Sequence, residues 1–339
     1  MGAFPKRHHF LPRFYLEGFS RDGWLWLCDR ERKHFRKSNP EKTAIIRDFY
    51  VLENKSGEKD YSVEQAFSLI EGKASEVIHK LERCEGIEPK ERADLALFVA
   101  LLMTRTPRFE RDVQQMTDAA AKHIIKHSVS NVGAAENLIR RSGTNLDPQG
   151  MLDFVQKERF QMETSHNFIV TSMVEKAHKF GLDVCLMNWS VLHASDRSSF
   201  ITTDQPVGFI VPDELRGTRE PIFGLASERI IKVVPLTQRV ALLMTDYGAK
   251  FRHDQMSQEG VREVNLAVAT ECDGYVIGRD EALVRSVVRA SKVDVSNPGT
   301  KMRVDHVPHP TDPNRTYLIT RRVPADAPDE PPEIVIKHE

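Results

Sequence analysis

Near residue 181 of this 339-residue chain, the spacing of apolar side chains changes from the repeat of amphipathic helices to the alternation of half-buried strands. Before that point, Val63, Phe67, Ile70, Ala74, Val77, Ile78 and Leu81 fall on one helical face, and Ser62 and Gln65 have capping-box spacing. A second helix is predicted over 90–104. Its LALFVALLM run is apolar on every side, which places it at the centre of a helical layer. Pro107 should end or kink that helix, because its ring removes a backbone donor and clashes with the preceding turn. Residues 108–127 read as helical, and 128–150 read as an insertion or mobile connection rich in Gly, Ser, Asn and Pro. A long helix is predicted over 151–180, with Gly181 as its left-handed stop.

Beyond Gly181, short strands are predicted over 183–193, 199–203, 207–211, 230–235 and 239–245. Helices near 258–270 and 280–291 flank a strand at 274–278, and late strands are expected at 302–307 and 316–321. In the aromatic-rich first 60 residues, the clear strand is 24–28, entered through an Arg21-Asp22-Gly23 turn. The fold class expected is α+β, a helical N-terminal half packed on a mostly antiparallel sheet formed mainly by the C-terminal half. One large domain is expected over 1–322, with its helical layer at about 60–181 and its sheet-rich part at about 182–322. The remaining 323–339 is proline-rich and acidic, and is expected to be a disordered tail. No fixed repeat is present, which argues against solenoids and propellers.

Lys and Arg total 48 against 49 Asp and Glu, so no global field draws the chain to nucleic acid or to an anionic membrane. Nucleic acid remains compatible as a partner only through a local basic patch. Cys28, Cys84, Cys185 and Cys272 lie too far apart in sequence for a disulfide framework or a zinc knuckle, and the simplest setting is a reducing cytoplasm. The longest apolar run, 95–103, is about half the length a membrane-spanning helix needs. The basic N-terminus is followed by Pro12, Arg13 and Glu17 rather than an apolar block, so no signal peptide is expected.

Several motifs occur in a telling order: HHFLPRFYLEGF, RDFY, FSLIEGKASEVI, ALFVALLMTRTPRF, NWSVLHASDRSSFITTDQPVGF, PLTQRVALLM and REVNLAVATECDGYVIG. Together they resemble the bacterial domain-of-unknown-function family 4238 over roughly residues 5–290. His9, Pro12, Tyr15 and Leu16 fall on its His-x-x-Pro-x-x-Tyr-Leu pattern. The resemblance implies a common fold and a common site, and it supplies no activity.

Candidate chemistry centres on four residues. His9, beside His8, offers a general base or metal ligand, against the alternative of an imidazole bonded to backbone. Glu64 and Glu71 stack at the margin of one helix, where two carboxylates could share a cation. Arg105 ends a buried helix, where it could fork onto a phosphate or carboxylate or tie helix carbonyls to the sheet; Arg108 is a second such group. Asp204 leaves an apolar strand for a proline-stiffened turn, as a strand-end catalytic carboxylate or an Asx-turn cap, with Thr202 and Thr203 assisting. Tyr15 and Trp189 are large enough to stack on a ligand, although aromatics in such positions more often belong to the core.

Two functions compete. One is a phosphodiester hydrolase, nuclease-like and suited to bacterial defence or a toxin effector, with His9, Glu71, Arg105 and Asp204 catalytic and Tyr15, Arg108 and Thr203 on substrate. A divalent metal is compatible with it, although no metal-ligand set is assigned and no other cofactor is indicated. The other is a non-enzymatic ligand-binding or sensor module in which the same residues form a structural network. The absence of a Gly-rich phosphate loop, a Cys-x-x-Cys pair, a His-Glu-x-x-His helix and a Gly-x-Ser-x-Gly elbow removes the usual forms of several enzyme classes.

Overall fold

The structure, a computed structural model, describes residues 7–30, 32, 34–158, 160–212, 229–291, 300–308 and 316–324, the last two stretches by backbone alone. They divide into two compact units, Met1–Phe109 with Val170–Gly299, and Glu110–Ile169 with Thr300–Glu339. Of the tail expected over 323–339, Val323 and Pro324 belong to a strand, and 325–339 lie outside the described residues.

In the first unit, α2 (Ser62–Glu82) buries Phe67, Ala74, Val77, Ile78 and Leu81, five of the seven residues on the predicted face. Its entry is held differently from the predicted Ser62–Gln65 box: the Asp60 carboxylate accepts the Ser62 N–H at 2.8 Å. The apolar helix α3 (Pro89–Thr104) buries Leu95, Ala96 and the whole run from Phe98 to Leu102. Its capping box is Glu88 with Glu91. Arg105 is the C-cap, and Pro107 opens the next helix, α4 (Pro107–Ser128), at a position where its missing N–H costs nothing.

The helix α7 (His166–Leu186) runs through Gly181, contrary to the expected stop there. A methyl group on Gly181 would lie 3.2 Å from Leu97 Cα, so this glycine serves close packing of α7 on α3. The strand expected from 183 accordingly begins later, as β7 (Met187–Ala194). It joins a five-stranded sheet in the order β12 (Phe251–Met256), β7, β11 (Val240–Tyr247), β10 (Ile231–Pro235), β9 (Gly208–Ile210). The pairs are antiparallel except β12 with β7, and β12 is a strand the sequence did not announce. Its residues FRHDQM carry too little apolar alternation to read as a half-buried strand.

A four-stranded antiparallel sheet joins the two ends of the unit, in the order β3 (His34–Ser38), β2 (Leu25–Asp29), β13 (Tyr275–Gly278), β8 (Thr202–Thr203). The turn into β2 has Asp22 and Gly23 both at positive φ, as the sequence suggested. Helices α8 (Gln258–Thr270) and α9 (Glu281–Ser291) flank β13 in sequence as predicted. At the N-terminus, β1 (Arg7–His9) pairs with β4 (Ile45–Arg47), followed by α1 (Arg13–Glu17) and the small hairpin of β5 (Leu52–Glu53) with β6 (Lys59–Asp60).

The second unit holds most of α4, then α5 (Val132–Ser142), α6 (Pro148–Gln156), the first turn of α7, and the hairpin of β14 (Thr300–Pro308) with β15 (Thr316–Pro324). Residues 128–150, expected as a mobile connection, contain α5 and the start of α6. The Asn and Gly that suggested a loop are the helix ends: Asn131 caps the Ala134 N–H, and Gly143 closes α5 at φ +67. The long helix expected over 151–180 is two helices, interrupted after Gln156 where Glu158 takes φ +50.

Candidate functional site

Three of the four predicted catalytic positions meet at Arg105. Its guanidinium is 1 % exposed. Nη1 donates to Glu71 Oε1, Nη2 donates to the His9 carbonyl oxygen at 2.5 Å, and Nε donates to the Tyr50 hydroxyl at 3.2 Å. Tyr50 and Phe67 put their rings within 5.2 and 5.0 Å of the guanidinium carbon. Burial works against the cation, yet Tyr50 and Glu71 hold its pKa above the ordinary arginine range. Arg105 is thus the cation paired with Glu71, one of the two helix-margin carboxylates.

His9 contributes its backbone oxygen to this node. Its Nδ1–H donates to the Thr43 carbonyl at 3.1 Å, which leaves the lone pair on Nε2. Burial lowers its pKa and the Arg105 charge lowers it further, against the Thr43 bond. The imidazole is therefore neutral near pH 7. His8, fully buried, stacks on Tyr50 and accepts the Tyr50 N–H on Nδ1 at 3.1 Å. Glu64 completes the group: burial raises its carboxyl, Arg105 and His8 oppose that, and its Oε2 is buried with no hydrogen-bond partner.

Asp204 sits in a different node. Its Oδ1 accepts the N–H groups of Asp273 and Tyr275 at 3.0 and 3.1 Å, and Oδ2 accepts that of Gly274 at 2.7 Å. The expected Asx-turn on its own segment is thus replaced by a clamp on the chain entering β13. Burial raises the Asp204 carboxyl, while Arg108 and the backbone donors of Tyr275 and Gly274 pull it down. Arg108 donates to the Glu271 carbonyl at 2.5 Å, and to Glu271 Oε2 and Asp273 Oδ1 at 3.3 and 3.2 Å. The two nodes adjoin through α3–α4: Thr106 Oγ1 donates to Gln205 Oε1 at 3.4 Å.

The remaining predicted ligand contacts lie inside the core. Tyr15 is buried, and its hydroxyl donates to the Pro235 carbonyl at 2.8 Å and bonds Thr202 Oγ1 at 2.7 Å. Burial pushes its phenol well above the ordinary range. Thr203 is fully buried, with its hydroxyl donating to the Gln205 carbonyl at 2.6 Å. Trp189 is core as well, with Arg92 at 4.0 Å from its ring. Arg92 also donates to the carbonyls of Cys185 and Met187, the helix-to-sheet tie that the sequence had suggested for Arg105.

A second cluster brings together residues the sequence had not joined. His193 on β7 and His253 on β12 share one sheet face, because Gln255 lies opposite His193 in the register. His193 Nε2 and His253 Nδ1 are 2.9 Å apart, Cys84 Sγ is 3.6 Å from His193 Nε2, and His253 Nε2–H donates to the Glu85 carbonyl at 3.1 Å. Burial lowers the pKa of His193, with His253 and Arg239 adding to that. These residues escaped sequence reading because their spacing matches no local motif and one of them lies on the unpredicted β12.

The chain belongs to a family described as a protein of unknown function, DUF4238, whose pattern matches residues 7–282. No curated protein and no solved structure matches it. No helix among the described residues is long and apolar enough to cross a membrane.

Proposed function

We propose that this chain is a non-enzymatic binding or sensor module, with Arg105, Glu71, His9, Arg108 and Asp204 forming the polar framework that holds it together. The observation that carries this reading is the enclosure of the charges. Arg105 is 1 % and Asp204 5 % exposed, and each is engaged by protein donors or acceptors from distant segments. A phosphate reaching Arg105 would have to displace Glu71 or the His9 carbonyl, and removing one partner of a buried pair costs about 3–5 kcal/mol.

A phosphodiester hydrolase keeps one observation in its favour. Glu64 has a raised carboxyl beside Arg105, His8 and Glu71, and a general acid needs that property. Incubating the full chain with single-stranded RNA, single-stranded DNA and an activated phosphodiester, with Mg2+ or Mn2+, separates the two. The module reading expects no turnover above that of an Arg105→Ala control. Turnover that disappears in Glu64→Gln with no loss of Tm would establish the hydrolase.

A further inference from the structure

Cys84, His193 and His253 each present one ligand atom, and these atoms all lie within 4.8 Å of one another. We propose that they form a binding site for a borderline divalent d-block cation of the zinc type. The inference goes beyond the module reading and does not depend on what Arg105 does. One sulfur and two imidazole nitrogens suit zinc or cobalt, whereas magnesium and calcium take oxygen ligands.

Two of the three ligand–ligand distances lie close to those around a bound zinc, and the third, from Cys84 Sγ to His253, is within 4.8 Å. Zn–N bonds of about 2.0–2.1 Å and a Zn–S bond of about 2.3 Å place tetrahedral neighbours roughly 3.3–3.7 Å apart. The 3.6 Å from Cys84 Sγ to His193 Nε2 already falls in that range. The 2.9 Å between the imidazoles is a hydrogen-bond length, so the rings must part by roughly 0.5 Å.

Proton positions also suit a cation. His253 Nε2–H donates to the Glu85 carbonyl, which fixes its tautomer and directs the Nδ1 lone pair at His193. Without metal, a proton on His193 Nε2 lies between the two rings. On binding, that proton moves to His193 Nδ1, the Cys84 thiol releases its proton to solvent, and three lone pairs face the ion. Arg239 opposes a positive charge here, but it is paired with Asp196 at 2.8 Å and the thiolate offsets part of the cation.

The backbone fixes the position of Cys84. It is the left-handed residue, φ +58, of the Schellman motif that ends α2, with its N–H on the Leu81 carbonyl and the Glu85 N–H on the Lys80 carbonyl. Cys84 is also exposed, which gives an incoming ion a route to the cluster. A bound ion would join the α2–α3 connection to two strands of the sheet.

The test is a titration of the reduced, metal-stripped full chain with Co2+, followed by Zn2+. The expected result is a saturable thiolate-to-cobalt absorption band that Zn2+ displaces, with a rise in Tm. Cys84→Ser should abolish the band, and His253→Gln should raise the Zn2+ Kd by at least about 10–100-fold. No saturable band overturns the proposal, as does a band of equal intensity in Cys84→Ser, which would place the metal on another cysteine. If either variant fails to fold, alkylation of Cys84 in the unaltered chain, followed by peptide mass spectrometry, decides. Saturating Zn2+ should slow it, and an unchanged rate rejects the site.

Discussion

Tyr50 and Arg105 hydrogen-bond each other in both directions: the phenol donates to the Arg105 carbonyl at 2.9 Å and accepts from Arg105 Nε at 3.2 Å. The carbonyl belongs to the C-cap of α3, a position left with free acceptors when the helix ends. One tyrosine thus holds both the end of the buried helix and the guanidinium that leaves it.

Arg105→Ala should destabilise the chain by about 3–5 kcal/mol, because Glu71 and the His9 carbonyl lose a buried cation together. Arg105→Lys should recover only part of this, since one ammonium cannot reproduce the planar fork. Urea unfolding of both variants, with Glu71→Gln and the double variant, would show non-additive losses if the node acts as a unit.

Glu64 predicts a pH dependence. In the unfolded chain it titrates near 4.5, and in the folded chain burial moves it upward. Within that window the folded form retains a proton the unfolded form has released, so stability falls as pH rises through it. Glu64→Gln should remove this loss and unfold at higher urea than the unaltered chain at pH 7, with the difference vanishing below the ordinary glutamate value. A series of urea midpoints from pH 4 to 8 measures it.

Asp204→Asn should cost about 1–3 kcal/mol, because an amide nitrogen then faces backbone N–H donors that had a carboxylate. Amide exchange at Asp273, Gly274 and Tyr275 should speed up in the variant. Unchanged exchange there would count against the clamp.

Two glycines should respond oppositely. Gly208→Ala places a methyl 2.9 Å from the Ala267 and Val268 backbone and should cost about 1–3 kcal/mol. Gly72→Ala, in mid-α2 with nothing within 4 Å, should stabilise by about 0.5–1 kcal/mol. Thermal melts of both variants are sufficient.

Long-period features were legible in the sequence. The apolar faces of α2 and α3, the change of period near 181 and the family motifs all appear in the fold, because burial of a repeated face dominates local choices. Single-residue signals misled where tertiary contact overrode them: Gly181 read as a stop and serves a helix crossing, and Asn131 and Gly143 read as loop and are caps. Grouping by type found the meeting of His9, Glu71 and Arg105, although through the His9 carbonyl rather than its ring. Cys84, His193 and His253 were out of reach, since only the parallel register of β12 on β7 brings the two rings together.

The order of synthesis sets a condition on this architecture. In the four-stranded sheet, Cys28 of β2 is opposite Val276 of β13, so the first half of that sheet emerges from the ribosome long before its neighbour exists. At about 5–20 residues per second the interval is on the order of 10–50 s, far longer than the microseconds in which a hairpin forms. During that interval the apolar Leu25 and Leu27 of β2, like the all-apolar face of α3, are open to chaperones or to other nascent chains. Ribosome-arrested chains ending before residue 278 should therefore be digested by protease across β2 and β3, whereas chains long enough to release β13 and α9 should resist.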